Sequence, residues 1–199
     1  MRCAPFPIGV FLLSVCAGTA AAQVNGPGAP DNGGRRTMTA LRLADGESVS
    51  LDGRLDEPFW ARALPAADFI QQDPQNGRPA TEKTEVRIVF DRDALYMGVT
   101  CFDSEPERWI GWQMRRDERA FSDDLFTWTI DTFLDGRTGY SFEVNPSGLM
   151  ADALIGLNGD NREWDGIWNA RVTIATVLKV KCRIVAWCAP TSCCSVPSR

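Results

Sequence analysis

Two sets of alternating runs, joined by short acidic or glycine-bearing links, restrict this chain more than any other feature. In "TEVRIVFDRDALYMGVTCF", Val86, Ile88 and Phe90 alternate with Glu85, Arg87 and Val89. Leu95, Met97, Val99 and Cys101 then alternate with Tyr96, Gly98, Thr100 and Phe102. A period of two sends successive side chains to opposite faces, which describes strands. The "DRD" link closes them into an antiparallel hairpin. The second run is apolar on both faces and so belongs in the middle of a sheet.

"DLFTWTIDTFLDGRTGYSFEVNPSGLMADA" repeats the pattern. Phe126, Trp128 and Ile130 line one strand, and Tyr140, Phe142 and Val144 the next. "LDGRTG" and "NPSG" turn, and Leu149 to Leu154 makes a third strand. "NGDNREWDG" reads as a polar loop, after which "IWNARVTI" alternates through Trp168, Ala170 and Val172. Strands spaced about 8–12 residues apart, with turn signals between them, predict an all-β antiparallel sandwich, jelly-roll or immunoglobulin-like. One short helix is expected in "LDGRLDEPFW": an Asp-Gly turn, then Asp56 capping, Glu57 and Pro58 in the first turn, and Phe59 and Trp60 facing inward.

The two ends differ from this body. Residues 1–22 carry Arg2, an apolar run from Ile8 to Val15 and a small-residue site at 20–22, the pattern of a secretory signal cut after Ala22. The apolar run is too short to span a membrane comfortably. Lipidation at Cys16 is disfavoured by the bulk of Val15. The chain is therefore expected to be exported: periplasmic, outer-membrane-associated or secreted. Residues 23–43 are rich in Gly, Pro and Asn and read as a flexible leader, with the sandwich at 44–172.

Residues 173–199 contain no acid, although the whole chain has 26. They are basic and cysteine-rich, an atypical tail as expected after a frameshift or truncation, which would leave the sandwich incomplete at its C-terminus. The late cysteines, Cys182, Cys188, Cys193 and Cys194, have five, four and zero residues between them, which is not the paired spacing of a zinc site.

Composition excludes several chemistries. The chain has no histidine, which removes Ser-His-Asp and Cys-His catalysis and imidazole ligands. Its net charge of −5 and lack of a basic run argue against nucleic-acid partners. Seven tryptophans remain to be placed. Sugars stack their C–H faces on aromatic rings while their hydroxyls pair with polar side chains. Trp109, Trp112 and Trp164 lie in loop-like contexts beside Arg115, Arg116, Asp117, Asn161 and Arg162, so Trp109, Trp112, Trp164, Arg115 and Asn161 are the candidate ligand-binding residues. Trp60, Trp128 and Trp168 sit on patterned elements and are assigned to the core.

Ordered motifs also resemble a known family. "LDGRLDEPFWARA", "VRIVFDRDALYMGVTCFD", "DDLFTWTIDTFLDGRTGYSFEVNPSGLMADA" and "EWDGIWNARV" resemble family 9 carbohydrate-binding modules over Leu51 to Val172. The subgroup resembled sits at the N-terminus of longer exported, membrane-associated bacterial proteins, some described as hydrolases. The resemblance implies a β-sandwich that binds a polysaccharide or oligosaccharide and serves polysaccharide binding or breakdown. It also implies calcium as a candidate cofactor, with Asp123, Asp124 and Asp131 as candidate ligands, against the ordinary alternative that paired acids bond backbone. Two further roles follow from it: a non-catalytic plug or interaction module for a C-terminal outer-membrane barrel, and part of a hydrolase acting on glycosidic bonds. No catalytic residue is assigned. "TIATVLKVKCRIVAW" departs from the family, which would place a further amphipathic strand pair there.

Overall fold

The computed structural model describes residues 36–175 and 177–185. The signal segment, most of the leader and Cys188, Cys193 and Cys194 lie outside them. The described chain is all-β, with strands β1 (Ala40–Arg42), β2 (Thr84–Phe90), β3 (Ala94–Phe102), β4 (Phe126–Ile130), β5 (Gly139–Val144), β6 (Met150–Gly156), β7 (Gly159–Asn161), β8 (Trp168–Ile174) and β9 (Val177–Val185), and a short helix α1 (Pro58–Arg62). They form a five-stranded sheet ordered β1-β2-β3-β9-β8 and a four-stranded sheet ordered β4-β5-β6-β7. Every pairing is antiparallel except β1 with β2. The expected sandwich is present, and β3 holds the expected middle position.

The alternation explains the packing. Val86, Met97, Val99, Trp168, Leu178, Val180 and Cys182 of one sheet meet Phe142 and Val144 of the other in the core between the sheets. The other face of the five-stranded sheet has its own smaller core, in which Phe59 and Trp60 of α1 pack with Val89, Ala94, Tyr96 and Leu43. "LDGRLDEPFW" therefore runs as a strap over the outside of this sheet. Gly53, at φ +81°, presses on Val172 and Thr173 of β8, and an added Cβ would come within 2.6 Å of Thr173 Oγ1. Trp60 lies against Gly98 of β3, where a Cβ would come within 2.9 Å of its ring.

Four expectations are corrected. The N-cap of α1 is Glu57, not Asp56, and it makes no side-chain capping bond because its carboxylate is used elsewhere. The leader ends earlier than 43, since Ala40–Arg42 pairs with Ile88–Phe90. The polar loop at 158–166 contains the three-residue strand β7. The fourth correction is the largest. The segment expected to fall outside the sandwich supplies β9, which sits between β3 and β8 with nine and seven paired positions respectively.

The reason is that the basic residues of β9 alternate. Leu178, Val180, Cys182 and Ile184 serve the inner core. Lys181 points under the strap, fully buried. Its Nζ donates to Ser50 O at 2.8 Å, Asp52 Oδ1 at 3.0 Å and both oxygens of Glu57 at 2.9 Å. Two of the strap's three acids, Asp52 and Glu57, are thus the partners of a lysine in the last described strand.

Candidate functional site

The loop between β3 and β4, residues 103–125, carries the candidate surface. It is built by carboxylates. Asp124 Oδ2 accepts from Ile110 N at 2.8 Å, and Asp124 N donates to Ile110 O at 2.9 Å. Asp123 Oδ2 accepts from Gln113 N at 3.0 Å and from Asn145 Nδ2 at 2.7 Å. Asn145 is buried; its Nδ2 also donates to Gln113 O at 2.7 Å, and its Oδ1 accepts from Leu149 N at 2.8 Å. Backbone donation from Gln113, then the Asn145 amide, holds the Asp123 carboxyl below its ordinary range. Residues 110–113 are thus stapled to 123–124, and most side chains of 110–122 project outward, with Ala120 buried against Leu149 and Ala151.

Two of those side chains are large aromatics. Trp112 is 82% exposed and Phe121 83% exposed, values that leave a ring face open to a ligand. They flank a hollow of about 530 Å³ with Gln113, Arg119, Ser122 and Asp123 in its lining. The Arg119 guanidinium lies 5.5 Å from the Phe121 ring centre. Such a surface offers aromatic faces for C–H stacking and amide, guanidinium, hydroxyl and carboxylate groups for hydroxyls.

The other expected residues go elsewhere. Trp109 is half-buried in a cleft between the sheets, with Cys101, Phe102, Phe126 and Leu178, and its Nε1 donates to Asp103. Trp164 is half-buried against Tyr140, 5.0 Å between ring centres, in an apolar pocket of about 270 Å³ with Leu95, Ile130 and Ile184. Because Leu95 pairs with Ile184 and Cys101 with Leu178, these two tryptophans occupy opposite ends of the β3–β9 pair. Arg115 extends to Glu118 at 3.2 Å outside the hollow lining, and Asn161, on β7, accepts from Glu163 N at 3.0 Å. The structure therefore separates Trp109, Trp112 and Trp164, and only Trp112 presents an open ring. Phe121, Gln113 and Arg119 were missed. An aromatic inside the polar run "RDERAFSDD" was the available signal for Phe121.

The calcium reading does not fit these residues. Asp123 and Asp124 precede β4 and Asp131 follows it, so about 17 Å of strand separates them, too far for one ion. Asp131 accepts backbone N–H bonds from Phe133, Asp135 and Gly136 and shapes the β4–β5 turn. Among the described residues, the acids that do converge are Asp117, Asp152 and Asp165, whose oxygens lie within 4.8 Å of one another. A cation of the chain already sits there. Arg116 Nη2 is 2.7 Å from Asp152 and 3.7 Å from Asp165, and its Nε is 3.3 Å from Asp117. Asp152, fully buried, also accepts from Trp168 Nε1 at 3.1 Å and from Gly166 N. Burial raises the Asp117 carboxyl, helped by the charges of Asp152 and Asp165 against that of Arg116.

No family model and no curated protein matches the chain. Among solved structures, the architecture is that of a β-sandwich similar in fold to family 9 carbohydrate-binding modules. A family 9 module from Caldicellulosiruptor kristjanssonii in complex with glucose aligns with a TM-score of 0.53 at 14% identity, over 77% of this chain and 72% of that one. The same module type in complex with cellotriose aligns equally well, over 77% and 70%. At this identity the likeness is one of fold.

Proposed function

We propose that this chain is a saccharide-binding module of an exported protein that acts in polysaccharide binding or breakdown, with any catalysis carried by another part of that protein. The observation that carries this reading is the pair of open aromatic rings, Trp112 and Phe121, held by a carboxylate-stapled loop over a polar hollow. The ligands of the structural neighbours, glucose and cellotriose, give it support. The signal-like segment at 1–22 supports export. A hydrolytic role for the module is disfavoured: Asp123 is the one carboxylate lining the hollow, and glycosidic cleavage needs two.

Titration with cellotriose, glucose and other β-glucans, followed by tryptophan fluorescence and calorimetry, tests the proposal. Trp112→Ala is expected to weaken binding at least about tenfold, which corresponds to the loss of about 1.4 kcal/mol of stacking. Its unfolding free energy should change by less than about 0.5 kcal/mol, because the side chain is exposed. Unchanged affinity in Trp112→Ala would move the site elsewhere. A second reading, an interaction or plug module for an outer-membrane barrel, draws on the exposed Ile110, Met114 and Leu125 around the same loop. Co-fractionation with membranes, without affinity for any saccharide, would favour it.

A further inference from the structure

A second hollow lies on the outer face of the five-stranded sheet, between the strap and the strands. Its volume is about 410 Å³, inside the range of small-molecule sites, about 300–1,000 Å³. Leu55, Pro58 and Trp60 wall it from the strap and α1, and Phe102 and Val177 from the sheet. It shares no lining residue with the hollow beneath Trp112 and Phe121.

Its floor is a row of polar side chains. Glu85, Thr100 and Lys179 stand in direct register across β2, β3 and β9. Their neighbours Val86, Val99 and Val180 face the inner core, so alternation turns this row outward, into the hollow. Side chains so paired are about 5 Å apart at Cβ. Glu85 is fixed, with Lys83 Nζ at 2.6 Å from one oxygen and Arg87 Nη1 at 2.8 Å from the other. The other two are not. Thr100 is only 7% exposed, yet its hydroxyl makes no hydrogen bond to any described residue. Buried hydroxyls are normally satisfied, and this one lines a cavity. Lys179 has no ion-pair partner among the described residues either, whereas Lys181 on the same face has two.

We propose that this hollow is a second binding site, for an uncharged ring bearing neighbouring hydroxyls, a monosaccharide or cyclic polyol. The row defines the class: a carboxylate accepts, an ammonium donates, and the hydroxyl between them does both. Adjacent ring hydroxyls each donate and accept, and so satisfy all of them together. A charged ligand is opposed whichever its sign. An anion meets Asp56, Glu57 and Glu85, and a cation meets Arg87 and Lys179. The apolar walls at Pro58, Trp60 and Phe102 suit the C–H faces of such a ring.

The test is amide chemical-shift mapping with calorimetry on the full chain carrying Trp112→Ala, which removes the open indole of the loop. The probes are glucose, xylose and myo-inositol, with acetate and glycine as charged alternatives. A neutral ring should shift the amides of Glu85, Thr100 and Lys179 and saturate them. Thr100→Val and Lys179→Met, each added to Trp112→Ala, should weaken that binding about tenfold, as for one lost hydrogen bond. Urea melts should stay at the level of Trp112→Ala, because neither side chain is bonded within the described chain. Binding that survives in both variants overturns the proposal. So do shifts at these amides with acetate or glycine alone, which make the hollow a site for charged ligands. Amides unmoved by every neutral ring overturn it too, and leave the reading of the Trp112 loop standing.

Discussion

Lys181 is the residue on which the strap and the last described strand meet. A buried ammonium is costly unless paired and hydrogen-bonded, and here one carbonyl and two carboxylates surround it. Burial pushes the Glu57 carboxyl up, but hydrogen bonds from Lys181, from its own backbone and from Ser50 N outweigh it, so the group lies below its ordinary 4.5. Asp52 is lowered too, first by the Arg54 N–H and then by Lys181. Folded-state values below unfolded ones give stability that is complete above the unfolded carboxylate range and drains away as pH falls through it. Lys181→Met should therefore cost about 3–5 kcal/mol at pH 7 by stranding Glu57. Urea denaturation should show the gap from wild type narrowing as pH falls below the ordinary glutamate value and Glu57 becomes protonated, first in the variant and at lower pH in the wild type. A gap independent of pH would mean that the lysine acts through its volume alone.

At the scale of elements, the strap works because Gly98 leaves room for it. Gly98→Ala would place a methyl 2.6 Å from Leu55 Cδ2 and 2.9 Å from the Trp60 ring, and should destabilise by about 1–3 kcal/mol. Gly156→Ala, whose added carbon meets nothing closer than 3.6 Å, is the control and should be close to neutral in the same melts. β2, β3, β4, β5 and β8 were legible because each carries a period-two run, although β2 and β3 pack on a core at both faces. β9 was not, because its outward Lys181 finds its acids 124 and 129 residues away, a pairing no local pattern displays. β1 and β7 are too short to hold a period. In the site, Trp112 was legible as an aromatic in a polar loop. Asp123 and Asp124 were read as metal ligands because a sequence does not distinguish a carboxylate that accepts backbone N–H bonds from one that awaits a cation.

At the scale of the whole molecule, the sandwich seals Cys182 in its core and leaves Cys101 half-buried in a cleft. Cys182 has no exposed surface, and burial raises both its thiol and that of Cys101, which leaves little of the reactive thiolate. Iodoacetamide at pH 8 should leave Cys182 unmodified in the native protein and alkylate it only on unfolding, as read by peptide mass spectrometry. Alkylation of native Cys182 would mean that β9 detaches without global unfolding. The placement of β9 also has a consequence in time. The strand made last among those described occupies the interior of its sheet, flanked by one made far earlier and one made just before it. Until synthesis reaches it, β3 and β8 have no neighbour to join them, and the strap has no lysine to clasp. This sheet cannot be completed before residue 185 has been made, about 80 residues after β3.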